Sequence, residues 1–260
     1  MQKRNYQKEL DAIIAEDEKK GIRPRLLIHS CCAPCSSYVM EYLRKSFDLS
    51  MYFYNPNMDS AEEYDKRAAE LRRLIDELNA EDPEHLIHCF IEDYDPERGA
   101  RCMLCYELRL RKTAEFMEAH NAACGVSSDT AAAAAAEQTC QSGASSTFPA
   151  CGDRHSKSSP ALSSDSVALS ELKVSIGEAP FDYFASTLSL SPLKNAEALN
   201  SIAEQIAEQK HLQALPNDFK KREGYKRSIE LSAKYGLYRQ NYCGCRFSKA
   251  EAAEREHKKS

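Results

Sequence analysis

The sequence predicts an α/β fold, a parallel sheet with flanking helices. It rests on three short apolar runs, helical periodicity between them, and a Cys/Pro turn that ends the first run. Arg25-Leu-Leu-Ile-His29 is too short for a helix and ends in a turn, so it predicts a buried strand. Ser36 or Ser37 is the expected cap of a following helix through Val39, Met40 and Leu43. Leu49–Tyr54 predicts a second strand, closed by Asn55-Pro56-Asn57. Ser60-x-x-Glu63 forms a capping box before a helix that sets Tyr64, Ala68, Leu71, Leu74, Ile75 and Leu78 on one face. His85–Ile91 predicts the third strand. Strands alternating with helices over short links give parallel pairing, and ligands then bind beyond the carboxyl ends of the strands, where Cys31, Cys32 and Cys35 fall.

Beyond this unit a helix is expected over about Arg101–His120, with Cys102 and Cys105 one turn apart on one face. Residues 121–180 differ: 13 of these 60 residues are Ser and 13 are Ala, without hydrophobic periodicity, which predicts a flexible insertion. Leu188 and Leu190 suggest a strand entering Ser191-Pro192, and helices are expected over Asn195–Leu212 and Gly224–Tyr235, the second ending at Gly236. The expected organisation is a helical extension (1–24), one α/β catalytic domain (25–120 and 181–250), the insertion (121–180) and a polar tail (251–260).

No run approaches the roughly 18–20 apolar residues of a membrane span, and Met1–Lys20 has no apolar core of a secretory signal, so a cytoplasmic protein is expected. In that compartment 11 cysteines point to metal or redox chemistry rather than to a disulfide framework. The net charge of -5 is uneven: Lys210–Lys249 holds ten Lys/Arg against three acidic residues. Such a stripe fits a polyanion as well as it fits an ordinary solvated helix face.

Seven cysteines form three clusters, Cys31-Cys32-Ala-Pro-Cys35, Cys102-x-x-Cys105 and Cys243-Gly-Cys245. Adjacent thiolates serve two irons of one cluster more readily than one tetrahedral zinc. Cys31, Cys32, Cys102 and Cys105 make four thiolates, enough for a [4Fe–4S] cluster. Cys243 and Cys245 can cycle between dithiol and disulfide, or ligate a second metal. Cys89, in an apolar strand, reads as a small buried hydrophobe. Cys124, Cys140 and Cys151 lack a metal-binding spacing. Structural zinc in an RNA-binding module and simple thiol–disulfide exchange remain open alternatives, although unlike clusters suit the first poorly and surplus cysteines the second.

His29-Ser-Cys-Cys-Ala-Pro-Cys35, Arg101-Cys-x-x-Cys-Tyr-x-Leu-Arg109, Ser191-Pro-x-Lys-Asn195, Phe219–Glu230 and Tyr242-Cys-Gly-Cys245 together resemble the motifs of the QueH-type epoxyqueuosine reductases. The resemblance spans about Arg25–His120 and Phe181–Ser248, and residues 121–180 depart from its pattern. It implies a HUP-like α/β layer and reduction of the epoxide of epoxyqueuosine at the tRNA wobble position, the last step of queuosine synthesis, without cobalamin. It further implies Cys31, Cys32, Cys102 and Cys105 as [4Fe–4S] ligands and Cys243 and Cys245 as the redox-active pair. Cys35 is then a candidate ligand, with Cys243 and Cys245, of a second iron. An electron donor outside the chain is required. Lys220, Lys221, Arg222, Lys226, Arg227 and Arg239 are expected to meet tRNA phosphates, with Tyr225, Tyr235 and Tyr238 among them for stacking. Tyr38, His29 and Tyr106 are candidate proton donors, at positions where packing is the commoner role.

Overall fold

Strand β1 (Arg25–Ser30) is buried along its whole length, because it lies in the middle of a parallel sheet covered on both faces. In this computed structural model, which describes residues 4–96, 102–126 and 179–258, β1 is flanked by β2 (Asp48–Phe53) and β4 (Tyr183–Ser186), with β3 (His88–Ile91) outside β2. The order is β3-β2-β1-β4, and all three pairings are parallel. The period of two along β1 splits its side chains between two cores. Leu26 and Ile28 pack with helices α2 (Ala33–Leu43) and α3 (Ala61–Glu81). Leu27 faces α4 (Cys102–Ala123) and α5 (Ala196–Lys210). Each of these aliphatic side chains contributes about 1.5–3 kcal/mol by leaving water.

Helix α1 (Tyr6–Lys20) ends at Gly21, whose φ of 64° closes the helix in a left-handed cap. It joins the first core through Leu10, and Tyr42 donates to Asp11 at 2.8 Å. Helix α6 (Gly224–Lys234) packs on α2, and α7 (Arg246–His257) takes up most of the expected polar tail. Among the described residues, no helix is long and apolar enough to cross a membrane.

Several local expectations are corrected. Neither Ser36 nor Ser37 caps α2; Cys32 holds that position, with Pro in the first turn, and the two serines donate back to Cys32 and Pro34 carbonyls. Strand β3 starts at His88 rather than His85. Arg44 captures the His85 carbonyl, and the Asn79 amide takes both backbone groups of Ile87. Leu188 and Leu190 lie on a 3-10 turn (Thr187–Leu190), because the Ser186 hydroxyl accepts from Leu188 N–H and ends β4 early. Ser60 caps α3 as expected, but Glu63 turns its carboxylate to Arg67 instead of completing the box.

Helix α4 runs past His120 to Ala123. Near its end the Asn121 side chain makes both a donor and an acceptor bond to the Phe181 backbone, at 2.9 and 2.7 Å. Residues 127–178, most of the expected insertion, lie outside the described residues, as does Arg101.

Gly224 fixes how closely α6 approaches α2. A Cβ there would stand 2.0 Å from the Phe219 carbonyl oxygen and 2.4 Å from Cε1 of Tyr38, a ring that stacks on Tyr42. Gly224→Ala should therefore destabilise the fold by about 2–3 kcal/mol. Urea unfolding should show this as a lower midpoint at unchanged slope, and an unaltered midpoint would disprove the tight contact.

Candidate functional site

The sheet order places a topological switch point beside β1. The chain builds outward to β2 and β3, then returns to add β4 on the other side of β1. A crevice opens at such a point beyond the carboxyl ends of the strands. The segment after β1 carries Cys31, Cys32 and Cys35, and the segment after β4 carries Ser191–Lys194. Both line a cavity of about 710 Å³, together with Cys102, Cys105, Cys243 and Cys245. All seven clustered cysteines thus face one space.

The three groups share a placement. Cys32 caps α2, Cys102 and Cys105 occupy the first turn of α4, and Cys245 caps α7. Three helix N-termini therefore point the positive ends of their dipoles at sulfur. The Cys31 and Cys32 sulfurs are 3.8 Å apart, and the Cys31, Cys32 and Cys35 sulfurs lie within 4.8 Å of one another. This trio is the one set among the described residues with that closeness. Cys102 is exposed and Cys105 half-buried. The Cys243 and Cys245 sulfurs lie 3.5 Å apart and are not bonded. Ser248 accepts from Cys243 N–H at 3.1 Å, and its hydroxyl oxygen lies 3.1 Å from the Cys243 sulfur and 3.4 Å from that of Cys245.

These contacts make the thiols unequal. Hydrogen bonds from Cys32 and Cys35 hold Cys31 well below the usual thiol range, with help from Thr187, whose hydroxyl lies 3.6 Å from the Cys31 sulfur. The same bonds push Cys32 up to about 12 and Cys35 well above its ordinary value. In the second pair, the bond from Cys245 and the charges of Lys194 and Arg109 bring Cys243 down to about 4, while Cys245 rises.

Two buried guanidinium groups lie beneath the sulfurs. Arg67, 1% exposed, is paired with Glu63 and lies under the Tyr242 ring. Arg109, 2% exposed, has no carboxylate within pairing distance among the described residues, and its Nε lacks a hydrogen-bond partner. It donates to Asn57 Oδ1, and its charge is felt by Cys105, Cys243, Cys31 and Cys245. Asn57 Nδ2 in turn donates to the Cys243 carbonyl at 3.4 Å, and Asp59 N–H donates to the Gly244 carbonyl at 3.0 Å. The turn after β2 thereby holds the Cys-Gly-Cys loop over the cavity. Gly244 has φ 102°, and a Cβ there would meet Met58 at 3.0 Å and Arg67 at 3.3 Å, so glycine is required.

Of the candidate proton donors, Tyr106 lines the cavity, with the Lys194 ammonium 5.5 Å from its ring centroid. His29 does not. It is fully buried, its Nε2–H donates to the Tyr54 carbonyl, and its Nδ1 accepts from Ser186. Burial and the Arg109 charge hold it neutral, at about 3. Tyr38 stays in the α2–α6 contact. Of the basic stripe, Arg239 and the neighbouring Tyr225 reach the cavity. Lys220 pairs with Asp218, Arg222 with Asp11, Lys226 with Glu223, and Arg227 with Glu41 and Glu230. Tyr235 and Tyr238 are bonded to Glu81 and Glu63 on α3. Cys89 and Cys124 stand away from the cavity, and Cys140 and Cys151 lie outside the described residues.

Arg67, Arg109, Asn57, Thr187 and Ser248 received no role from the sequence. A signal was present for two of them. Arg109 falls at i+7 from Cys102 and i+4 from Cys105, on their face of α4, and Arg67 falls on the apolar face of α3.

A family model described as "Epoxyqueuosine reductase QueH" matches residues 26–145 and 167–251 of the chain. Among curated proteins carrying that same description, the one from Staphylococcus epidermidis is 31% identical over 95% of this chain and 85% of its own length. The one from Streptococcus pyogenes is 30% identical over 94% and 78%, and the one from Thermotoga maritima 25% identical over 88% and 93%.

Arg109 acts on the sulfurs through charge rather than by supporting the core. Arg109→Met should leave the metal-free protein melting no lower than wild type, since a buried charge that no carboxylate pairs among the described residues is replaced by an apolar side chain of similar length. The same change should slow alkylation of Cys243 at pH 6, where the wild-type thiol is ionised, as followed by peptide mass spectrometry. A lower melting temperature with unchanged alkylation would show the opposite division of roles.

Proposed function

The chain belongs to the QueH epoxyqueuosine reductase family, and on that premise we propose that it reduces the epoxide of epoxyqueuosine in tRNA, giving queuosine, in the cytoplasm. The observation that carries this reading beyond family membership is the convergence of three separated cysteine groups on one cavity.

The donor set fits an iron–sulfur centre. Thiolates select soft metals, and three sulfurs within 4.8 Å of one another beside two buried cations suit an anionic metal–thiolate group. Cys31, Cys32, Cys102 and Cys105 are the proposed holders of a [4Fe–4S] cluster. Cys35 stands among the first group and faces the cavity shared with Cys243 and Cys245; a second iron held by these three is the alternative to a redox-active Cys243 and Cys245 pair. When bound, these groups would supply single electrons and a Lewis acid; cobalamin has no part in this reading.

The residues of the chain account for the rest of the reaction. Reducing an epoxide to an alkene consumes two electrons and two protons and releases the oxygen as water. Oxidation of the Cys243 thiolate and the Cys245 thiol to a disulfide would release two electrons and one proton, the second proton would come from the cavity wall, and an external donor would restore the pair. Lys194 and Tyr106, both in the cavity wall, are placed to hand protons to the oxygen. Burial disfavours the Lys194 ammonium, but Cys243 and Tyr106 more than offset this, so it stays charged.

Anaerobically purified protein should contain iron and acid-labile sulfide. Zinc without sulfide would instead indicate a structural thiolate site. Cys243→Ser should abolish conversion of epoxyqueuosine-containing tRNA while retaining iron and sulfide. Loss of the cluster in that variant would move Cys243 into the ligand set.

A further inference from the structure

Positive charge on the C-terminal part of the chain is distributed in two ways. On the stripe, Lys220, Arg222, Lys226 and Arg227 face five carboxylates, those of Asp11, Glu41, Asp218, Glu223 and Glu230, and Lys221 has none within pairing distance among the described residues. The pairs cancel at a distance, and little net field remains for a polyanion. Around the cavity mouth the balance differs. Lys194, Arg239 and Arg246 have no carboxylate within pairing distance among the described residues. The two acidic groups at that mouth are otherwise engaged: Glu251 lies 4.0 Å from Arg255, and Glu256 accepts from Asn241 at 2.6 Å.

The same rim exposes apolar surface. Leu193 is 67% exposed, Phe247 47% and Tyr225 39%, and all three line the opening. Both aromatic rings lie beneath an arginine, Arg239 over Tyr225 at 5.4 Å and Arg246 over Phe247 at 4.8 Å. An aromatic ring beside a guanidinium, at the edge of a deep cavity, is a platform for an unstacked base and its phosphate. A cavity of about 710 Å³ has the size of a small-molecule pocket and suits one extruded nucleoside. A nucleotide inside it must have left its stack, and its neighbours then need new stacking partners.

We propose that the single-stranded anticodon loop of tRNA docks on this rim. Bases flanking the one in the cavity stack on Tyr225 and Phe247, and their phosphates meet Arg239 and Arg246. The proposal rests on the tRNA substrate assigned above. It moves the RNA contact away from Lys220–Arg227 and toward the cavity, and it selects a loop over a duplex, whose stacked bases offer the rings no free face.

The test is binding of a fluorescent, unmodified anticodon stem-loop RNA to the metal-containing protein, followed by anisotropy at several salt concentrations. Tyr225→Ala and Phe247→Ala should each weaken binding about tenfold, while Tyr225→Phe and Phe247→Tyr restore it. Arg239→Ala should also lower the slope of affinity against salt. Arg222→Ala and Arg227→Ala, each already paired with a carboxylate, should change affinity less than about twofold. Phe247 is close to Cys245, so iron content is measured in each variant; Tyr225, on α6, carries the test should the Phe247 variant lose metal. Normal binding by the rim variants, with loss in Arg222→Ala or Arg227→Ala, overturns the proposal, and so does equal affinity for an RNA duplex. Wild-type protein that holds iron and sulfide yet leaves epoxyqueuosine in tRNA unreduced overturns the functional reading beneath it, and is scored separately by nucleoside analysis.

Discussion

The guanidinium of Arg109 is buried among sulfur atoms and bonded to Asn57, and the arrangement of the site follows from that one interaction. A buried cation must be compensated, and among the described residues no carboxylate does so here. The compensation available is thiolate, drawn from all three cysteine groups. Asn57 links that charge to the backbone of the Cys243–Cys245 loop, so the cation and the last-arriving cysteines are held by one side chain. The cost to the metal-free fold is accepted because the cavity needs an electropositive floor.

The sheet supplies the geometry around that charge. One parallel strand separates two cores, and the chain reverses direction of growth across it, which leaves a crevice at its carboxyl end. Helices that begin at this edge point their N-termini inward, and a cysteine group stands at the start of each of three of them. Two effects of different range then favour negative sulfur: dipoles from the backbone and whole charges from Arg67, Arg109 and Lys194.

Much of this was legible in the sequence because it depends on local pattern. The Arg25–His29 run and the Tyr64–Leu78 face each state their period plainly, and the cysteine clusters are contiguous. What stayed hidden depends on contacts made far along the chain. An arginine within a charged helix usually faces solvent, and the spacing that sets Arg109 on the face of Cys102 and Cys105 does not say what that face packs against. Leu188 and Leu190 have strand spacing, yet one hydroxyl, that of Ser186, redirects the backbone. The basic stripe was correct as composition. Its carboxylate partners, Asp11 and Glu41, come from α1 and α2 and could not be paired with it from sequence distance alone.

The paired bonds between Asn121 and the Phe181 backbone have an evolutionary consequence. They act as a clasp at the base of the intervening segment, fixing where the chain leaves the second core and where it re-enters to form β4. With the two ends tied, the closure entropy of what lies between grows only with the logarithm of its length, about 0.6 kcal/mol for each doubling. Insertions and deletions accumulating between these two residues are therefore nearly neutral for the fold, and a lineage can lengthen or rewrite this stretch while the sulfur-lined crevice is inherited unchanged.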